Sequence, residues 1–126
     1  MLGGITYTTK ISDLNTLGLV KLNSVRVDGC ESLRYLSLDG CTELTSIDTA
    51  GCPNLVSLDI SDTGITYLNV SANMNLTNLY LQNTGVSMFD LAHNFSLQTL
   101  DCSGSAITSF PLIGSTQLQS VNVSNC

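Results

Sequence analysis

The sequence predicts a repeat solenoid that is rich in β-structure, a right-handed coil with two parallel strand ladders and little helix. Three observations support this prediction: a repeated pattern, a short repeat step, and apolar residues that alternate with polar ones. Ten units read L-x-x-L-x-L-x-x-(small polar), and they begin at Leu22, Leu33, Leu44, Leu55, Ile65, Leu76, Val86, Leu97, Ile107 and Leu118. Positions 1, 4 and 6 give thirty slots, and aliphatic residues or Phe fill all of them except Thr49 and Cys102.

The step between units indicates what each unit contains. Successive units start 10 or 11 residues apart, which is too short for a strand, two turns and a helix. Apolar residues at positions 4 and 6 with a polar residue between them have the period of a strand, so we expect one short strand and a bend per unit. From Leu55 onward, two units make a 21-residue repeat. Two units should therefore form one turn of the coil, and about five turns should stack with their strands about 4.8 Å apart.

These units resemble the leucine-rich repeat, whose consensus is L-x-x-L-x-L-x-x-N/C-x-L. The nested steps of 10 and 11 residues resemble the short bacterial class of 21-residue repeats. The segments LNVSANMNLTNLYLQNTGV and LQTLDCSGSAIT resemble repeats of secreted or surface proteins of gut Bacteroidetes. The resemblance implies a bacterial, adhesin-like protein, secreted or on the cell surface, that binds partners through a strand face.

The ninth position of every unit is small and hydrogen-bonding, or a thiol. In order the ninth positions are Cys30, Cys41, Cys52, Thr63, Asn73, Thr84, Asn94, Ser105, Ser115 and Cys126. By resemblance to leucine-rich repeats, these side chains should point inward at the bend after each strand. There they would serve backbone groups that burial would leave unpaired. We interpret this set as structural ladders along the coil.

The even spacing of Cys30, Cys41 and Cys52 leaves a metal site and a disulfide as alternatives to a ladder. Alternate units should lie on opposite sides of the coil, so Cys41 should face away from the other two thiols. A zinc site needs about four ligands around one centre, and the single histidine, His93, lies several turns away. A disulfide between Cys30 and Cys52 is sterically conceivable across one turn. The ladder interpretation is favoured, and no metal or other cofactor is predicted.

The ends of the repeat array divide the chain into residues 1–21 and 22–126. The first segment is predicted to be an N-terminal cap or a degenerate repeat, with an edge strand at Ile5–Thr9 and a weak unit at Ile11 and Leu14. The second segment holds the ten units and no C-terminal cap, so Leu118, Val121 and Val123 would lie at an open end. Solenoids need polar caps, so self-association or continuation of the array is expected there. MLGGITYTTK has no signal-peptide pattern, so the chain either stays where it is made or comes from a longer secreted protein.

Charge and chemistry exclude several functions. The chain carries 4 basic and 10 acidic residues, and all the basic ones lie before residue 35. Nucleic acid and anionic membrane surfaces require basic faces, so we expect neither as a partner. No apolar stretch approaches the ~20 residues of a membrane span. His93 has no nucleophile at a suitable spacing and no carboxylates are paired, so the chain is predicted not to be an enzyme.

The remaining candidate for function is an exposed strand face. By the resemblance, the recognition face belongs to the units at 33, 55, 76, 97 and 118. Its candidate binding residues are Arg34, Tyr35, Asp59, Asn78, Tyr80, Asp101 and Asn122. Tyr35 and Tyr80 are the preferred anchors because aromatic residues are enriched at binding hot spots. The predicted function is binding of a protein, or alternatively a glycan. The second hypothesis is a structural spacer or a packed component of a surface or virion assembly, associating through the open end.

Overall fold

The computed structural model describes residues 4–6, 11–16, 18–110 and 114–126, with side chains from residue 11 onward. Eight three-residue strands follow in order: β1 (Gly4–Thr6), β2 (Asp13–Asn15), β3 (Ser24–Arg26), β4 (Tyr35–Ser37), β5 (Ser57–Asp59), β6 (Asn78–Tyr80), β7 (Thr99–Asp101) and β8 (Ser120–Asn122). The described part of the chain contains no helix. It therefore also offers no helix long and apolar enough to cross a membrane. The predicted parallel β-solenoid of about five turns is confirmed.

All strands pair in parallel. Strands β2, β4, β5, β6, β7 and β8 form one six-stranded sheet in that order, and β1 pairs with β3 in a second sheet. Leu58 of β5 pairs with Leu79 of β6, and Leu79 pairs with Leu100 of β7, so the turns from β5 onward advance by 21 residues. The turn from β4 to β5 advances by 22, since Leu36 pairs with Leu58. Each strand ends after three residues because the chain must bend back toward the other side of the coil. The sequence periodicity and the sheet register therefore agree.

The core is a column of aliphatic side chains that runs through the stacked turns. Leu36, Leu58, Leu79 and Leu100 occupy the strand centres, and none of them is more than 2% exposed. Burying a leucine side chain contributes about 2 kcal/mol relative to leaving it in water. The column ends at Val121 of β8, which is 43% exposed because no further turn covers it in this structure. Stacking between turns is thus the source of burial.

The described residues of the N-terminal segment contribute one strand to each sheet. The weak unit at Ile11 and Leu14 supplies β2, which pairs with β4, and Leu14 is buried. Of the predicted edge strand Ile5–Thr9, residues 5 and 6 lie in β1, and residues 7–9 lie outside the described residues.

The second sheet is shorter than the repeat pattern predicts. We expected a strand in every unit, but no strand forms in the units at Leu44, Ile65 and Val86. Across those turns, contacts are instead made by inward side chains of the ninth position. Asn73 and Asn94, for example, donate side-chain hydrogen bonds to main-chain carbonyls of the preceding turn. Two parallel sheets are present, but only the first one extends along the coil.

Candidate functional site: the strand face

The outward residues of the six-stranded sheet form two rows, which together we call the strand face. One row reads Asn15, Ser37, Asp59, Tyr80, Asp101 and Asn122, and the other reads Asp13, Tyr35, Ser57, Asn78, Thr99 and Ser120. Tyr80 therefore lies between Asp59 and Asp101 on neighbouring strands. Arg34 is exposed just before β4, and its carbonyl accepts hydrogen bonds from the main-chain N–H groups of Val56 and Ser57.

Three of the seven candidate binding residues meet at one open depression of about 270 Å³. Tyr35, Asp59 and Tyr80 line it, together with polar residues of β2, β4 and β5. Tyr35 is 47% exposed, whereas Tyr80 is half-buried. Arg34, Asn78, Asp101 and Asn122 do not line this depression, and Asp101 and Asn122 lie further along the sheet.

The acidic and amide side chains of the strand face also hold the turns. The main-chain N–H of Ser61 donates to Asp59 Oδ1 at 2.9 Å, and that of Ser103 donates to Asp101 Oδ1 at 3.0 Å. Asn122 accepts the main-chain N–H of Ser124 in the same way. On the opposite side of the coil, Asp48, Asn69 and Asp90 each accept the main-chain N–H of the residue two positions later. These are Asx turns, in which the side chain replaces a main-chain acceptor. The sequence signal is Asp or Asn at position 5 with Ser or Ala at position 7 of a unit.

The electrostatic field near the depression is negative. Partial burial raises the pKa of Asp39, and the neighbouring carboxylates of Asp59 and Asp62 raise it further. At Asp101, burial acts to raise the pKa, but hydrogen bonds from Ser103 and Asn122 outweigh it, so the pKa is lowered. A ligand that carries positive charge would relieve the repulsion at Asp39.

The eighth position of the units in the first sheet adopts a left-handed backbone, which the sequence analysis missed. Gly40, Asp62, Asn83, Gly104 and Asn125 all have positive φ, between 53° and 76°. Only Gly, Asn and Asp visit this region readily, so the composition of that column could have revealed the turn.

The buried asparagines connect successive turns through their side chains. Asn73 Nδ2 donates to Thr49 O at 3.0 Å and to Cys52 O at 2.9 Å, and Asn73 Oδ1 accepts from Thr49 Oγ1 at 2.7 Å. Asn94 Nδ2 repeats the pattern one turn later, donating to Val70 O and Asn73 O at 3.0 Å. Cys52, Asn73 and Asn94 thus form one column, in which each side chain donates to a carbonyl of the preceding turn.

The other ninth positions are buried in the same manner, except at the last turn. Thr63 and Thr84 donate to carbonyls of their own units, and Cys41 Sγ lies 3.1 Å from Thr16 Oγ1. Ser105 Oγ lies 3.7 Å from Cys126 Sγ, and Cys126 is exposed. Cys30 is buried, and so is Ser115, whose hydroxyl has no hydrogen-bond partner within the part of the chain that the structure describes.

Asn94 differs from Asn73 in one atom that lacks a partner. Among the described residues, the buried Oδ1 of Asn94 has no hydrogen-bond partner, because Val70 occupies the place that Thr49 fills beneath Asn73. Val70→Thr should supply the missing hydroxyl and raise the free energy of unfolding by about 1 kcal/mol. Urea denaturation tests this, with Val27→Thr as a control that has no asparagine above it. A loss of stability in Val70→Thr similar to that in Val27→Thr would contradict the assignment.

The buried thiols are poor nucleophiles. Burial raises the pKa of Cys52 to about 11, with smaller contributions from Cys30 and nearby carboxylates. Burial also raises the pKa of Cys102 to about 12, with a contribution from Cys126. Cys52 Sγ donates to Val27 O at 3.4 Å and is a free thiol, so it forms no disulfide with Cys30. Across the described residues, His, Cys, Asp and Glu side chains form no group of three or more that could hold a metal.

Thiol labelling should therefore distinguish one cysteine from the other four. With an aromatic disulfide reagent at about pH 8, the folded protein should react at Cys126 alone, because the thiolate is the reactive species and the other thiols are buried. After unfolding in guanidinium, all five thiols should react. Cys126→Ser should abolish the rapid reaction of the folded protein. Rapid reaction of two or more thiols in the folded wild type would contradict this structure.

A second and larger depression, of about 620 Å³, lies on the opposite side of the coil. Tyr67, Met88, Phe89, Asp90 and His93 are among the residues that line it. Tyr67 and Met88 are outward residues of this side, but the repeat pattern does not indicate that they form a depression with His93.

Comparison with known proteins agrees with this geometry. No known protein family matches the chain, and neither does any curated protein. Several solved structures do, among them the following two. The functional domain of InlJ from Listeria monocytogenes, which includes a cysteine ladder, matches with a TM-score of 0.53 and 18% identity, over 94% of this chain and 45% of that one. A leucine-rich-repeat protein of Leptospira interrogans matches with a TM-score of 0.52 and 18% identity, over 89% of this chain and 37% of that one.

The chain has a leucine-rich-repeat fold. At 18% identity, these similarities establish the fold alone. The chain spans less than half the length of either structure. Within the leucine-rich-repeat solenoid, the column of Cys52, Asn73 and Asn94 takes the inward ninth position of successive turns.

Proposed function

We propose that this chain is a non-enzymatic module that binds a protein through the strand face. The supporting observation is the meeting of Tyr35, Asp59 and Tyr80 at one depression on a regular, outward-facing sheet. Tyrosines provide a large contact area with little loss of side-chain entropy, and solenoids use extended strand faces as binding surfaces. Both similar structures are repeat proteins of the same fold, which agrees with this role.

The charges of the strand face indicate the kind of partner. Asp13 and Asp59 line the depression, and Asp39 and Asp62 lie close to Asp59. The chain has a net charge of −6 and no Lys or Arg after residue 34. A protein that presents basic residues around an apolar anchor would complement this surface. A glycan is the alternative ligand.

The test uses a partner isolated from the native source and purified. Tyr35→Ala/Tyr80→Ala should weaken its binding at least tenfold in biolayer interferometry, because hot-spot tyrosines contribute about 2 kcal/mol or more. Phe95→Ala, an exposed aromatic residue outside both depressions, is the control and should bind as the wild type does. Unchanged affinity in the double variant would refute the assignment of the face. Loss of binding after enzymatic deglycosylation of the partner would identify the ligand as a glycan.

A second candidate function is assembly through β8. The outer edge of this strand leaves Val121 and Val123 each 43% exposed, at positions that are buried in the preceding turns. A further turn, from a longer chain or from a second copy, would bury them. If copies associate here, Val121→Asp should convert the assembly to monomers in light scattering while Tyr35→Ala/Tyr80→Ala leaves it intact. Association that survives Val121→Asp would exclude this role.

We also propose that the chain comes from a bacterial surface or secreted protein of the short 21-residue class. The support is the resemblance of its repeats, together with the 21-residue register from β5 to β8. The intact mass of the protein in its native source tests this proposal. A mass well above that of 126 residues would favour a longer adhesin-like protein, and a mass equal to it would favour the assembly role.

A further inference from the structure

The larger depression on the side opposite the strand face has a distinct composition. Two of its walls are exposed: the side chain of Tyr67 is 68% exposed and that of Met88 is 72% exposed. These residues occupy the third position of consecutive units on this side of the coil, so they project from adjacent turns. Phe89 is 7% exposed and stacks edge-on with Phe110, with ring centroids 6.3 Å apart. The depression therefore combines apolar side chains from two adjacent turns with polar ones such as Asp90 and His93.

The carboxylate of Asp90 lines this depression, and one of its oxygens accepts a main-chain hydrogen bond. Asp90 Oδ1 accepts the main-chain N–H of Ala92 at 2.8 Å, which fixes the orientation of the carboxylate. Within the described residues, Asp90 has no ion pair, and its Oδ2 atom accepts no hydrogen bond. The basic residues all lie at position 34 or earlier in the sequence, and none of them lines this depression. The oriented carboxylate of Asp90 and the ring of Tyr67 thus line one depression that no described Lys or Arg side chain enters. His93 lines it as well, but among the described residues it forms no ion pair with Asp90.

An aromatic face, a thioether and an oriented carboxylate together match one type of ligand group. A guanidinium is planar, stacks on aromatic rings and pairs with a carboxylate through parallel hydrogen bonds. Its aliphatic stem can pack along apolar side chains while the charged head remains near water. The net charge of −6 also favours a cationic ligand over an anionic one.

We propose that the depression between Tyr67, Met88 and Asp90 is a second binding site, which takes an arginine side chain presented by a protein partner. Tyr67 supplies the stacking surface, Met88 and Phe89 contact the aliphatic stem, and Asp90 pairs with the guanidinium. The site lies on the other side of the coil from the strand face. Binding at this site does not depend on the function proposed above for the strand face.

The experiment measures binding of a short peptide at this site by NMR. The probe is Ac-Ala-Arg-Ala-NH2, and the matched control peptide contains citrulline, which has a similar shape but no charge. The protein is labelled with ¹³C at its methionine methyl groups, and Met88→Leu assigns the Met88 signal. Met74, which is exposed but outside the depression, is an internal control. The arginine peptide should shift the Met88 signal with millimolar affinity, and the citrulline peptide should bind several times more weakly.

Asp90→Asn is the decisive variant, because asparagine keeps the Asx turn and removes only the charge. Asn69 holds the equivalent turn one unit earlier on the same side of the coil. Asp48→Asn is the matched control, since Asp48 makes the same turn, through the N–H of Ala50 at 2.9 Å, outside the depression. Asp90→Asn should weaken the arginine peptide by about threefold to fivefold, and Asp48→Asn should not.

Three outcomes would overturn the proposal. The first is the absence of a Met88 shift up to about 20 mM arginine peptide, well above the expected affinity. The second is equal binding of the arginine and citrulline peptides, or equal effects of the two aspartate variants, since the carboxylate would then have no role. The third is a Met88 shift with N-acetylglucosamine and none with the arginine peptide, which would make the site a glycan site.

Discussion

Replacing Asn73 with alanine should lower the free energy of unfolding by about 3 kcal/mol. Asn73 is fully buried, and its side chain makes three hydrogen bonds: two to main-chain carbonyls and one from the hydroxyl of Thr49. Alanine removes all three hydrogen bonds, and each such loss costs about 1 kcal/mol or more. The carbonyls of Thr49 and Cys52 keep their bonds from main-chain N–H groups, but the buried hydroxyl of Thr49 loses its acceptor. The loss spans two turns, so it weakens the interface between repeats on which the solenoid depends.

Urea denaturation followed by circular dichroism measures this effect, with two comparison variants. Asn75→Ala is the control, because Asn75 also donates to the preceding turn, at Pro53 O, but is exposed; we expect a change of about 0.5 kcal/mol or less. Asn94→Ala should cost about 1 kcal/mol less than Asn73→Ala, since Asn94 Oδ1 has no partner to lose. If Asn73→Ala were no more costly than Asn75→Ala, the buried asparagines would not hold the turns together.

Replacing Gly51 with alanine should cost about 2 to 3 kcal/mol, through a close approach between turns. A Cβ atom at Gly51 would lie 2.5 Å from the main-chain nitrogen of Gly29 and 3.2 Å from two main-chain atoms of Asp28. Main-chain atoms cannot rotate away as a side chain can, so the two turns must separate to admit the methyl group. Separation weakens the packing on both sides of the contact.

Gly40→Ala is the matched control for the contact. Gly40 has a φ of 76°, and a Cβ atom there would have no heavy atom within 4 Å. Alanine at this position should therefore lower the free energy of unfolding by only about 1 kcal/mol, because its side chain disfavours the left-handed backbone conformation. The same urea denaturation should rank Gly51→Ala as the less stable variant. Equal costs in the two variants would mean that the turns near Gly29 and Gly51 are not in close contact.

The first sheet could be predicted from sequence because its determinants are local and repeated. An aliphatic residue at position 4, such as Leu58 or Leu79, alternates with polar neighbours and recurs every 21 residues. That pattern fixes both which side chain is buried and which residue it stacks on. The juxtaposition of Asp59 with Tyr80 on the strand face follows from the same period.

The missing strands of the second side could not be predicted in this way. The unit at Ile65 has the same apolar pattern as a strand-forming unit, so local composition does not distinguish them. The difference lies in contacts across turns, where the side chain of Asn94 takes the carbonyl of Val70. Such contacts depend on the distance between turns, which the pattern within one unit does not contain.

The sequence could predict the depression on the strand face better than the one at Tyr67 and Met88. Tyr35 and Tyr80 belong to strands whose register the period determines, so their common face was predictable. The depression at Tyr67 and Met88 involves His93 from the following bend, and the path of that bend depends on tertiary packing. The structural role of Asp59 and Asp101 in Asx turns was visible in the sequence, as an acid two residues before a serine, but was not interpreted.

The measurement that tests the proposed strand face most directly is amide NMR of the ¹⁵N-labelled protein with and without its purified partner. At 13.4 kDa, the chain is small enough for each strand to be followed individually. The account predicts that the largest shifts will fall in β2, β4, β5 and β6, around Tyr35, Asp59 and Tyr80. Shifts confined to β8 or to the depression at Tyr67 and Met88, with the strand face unchanged, would contradict it.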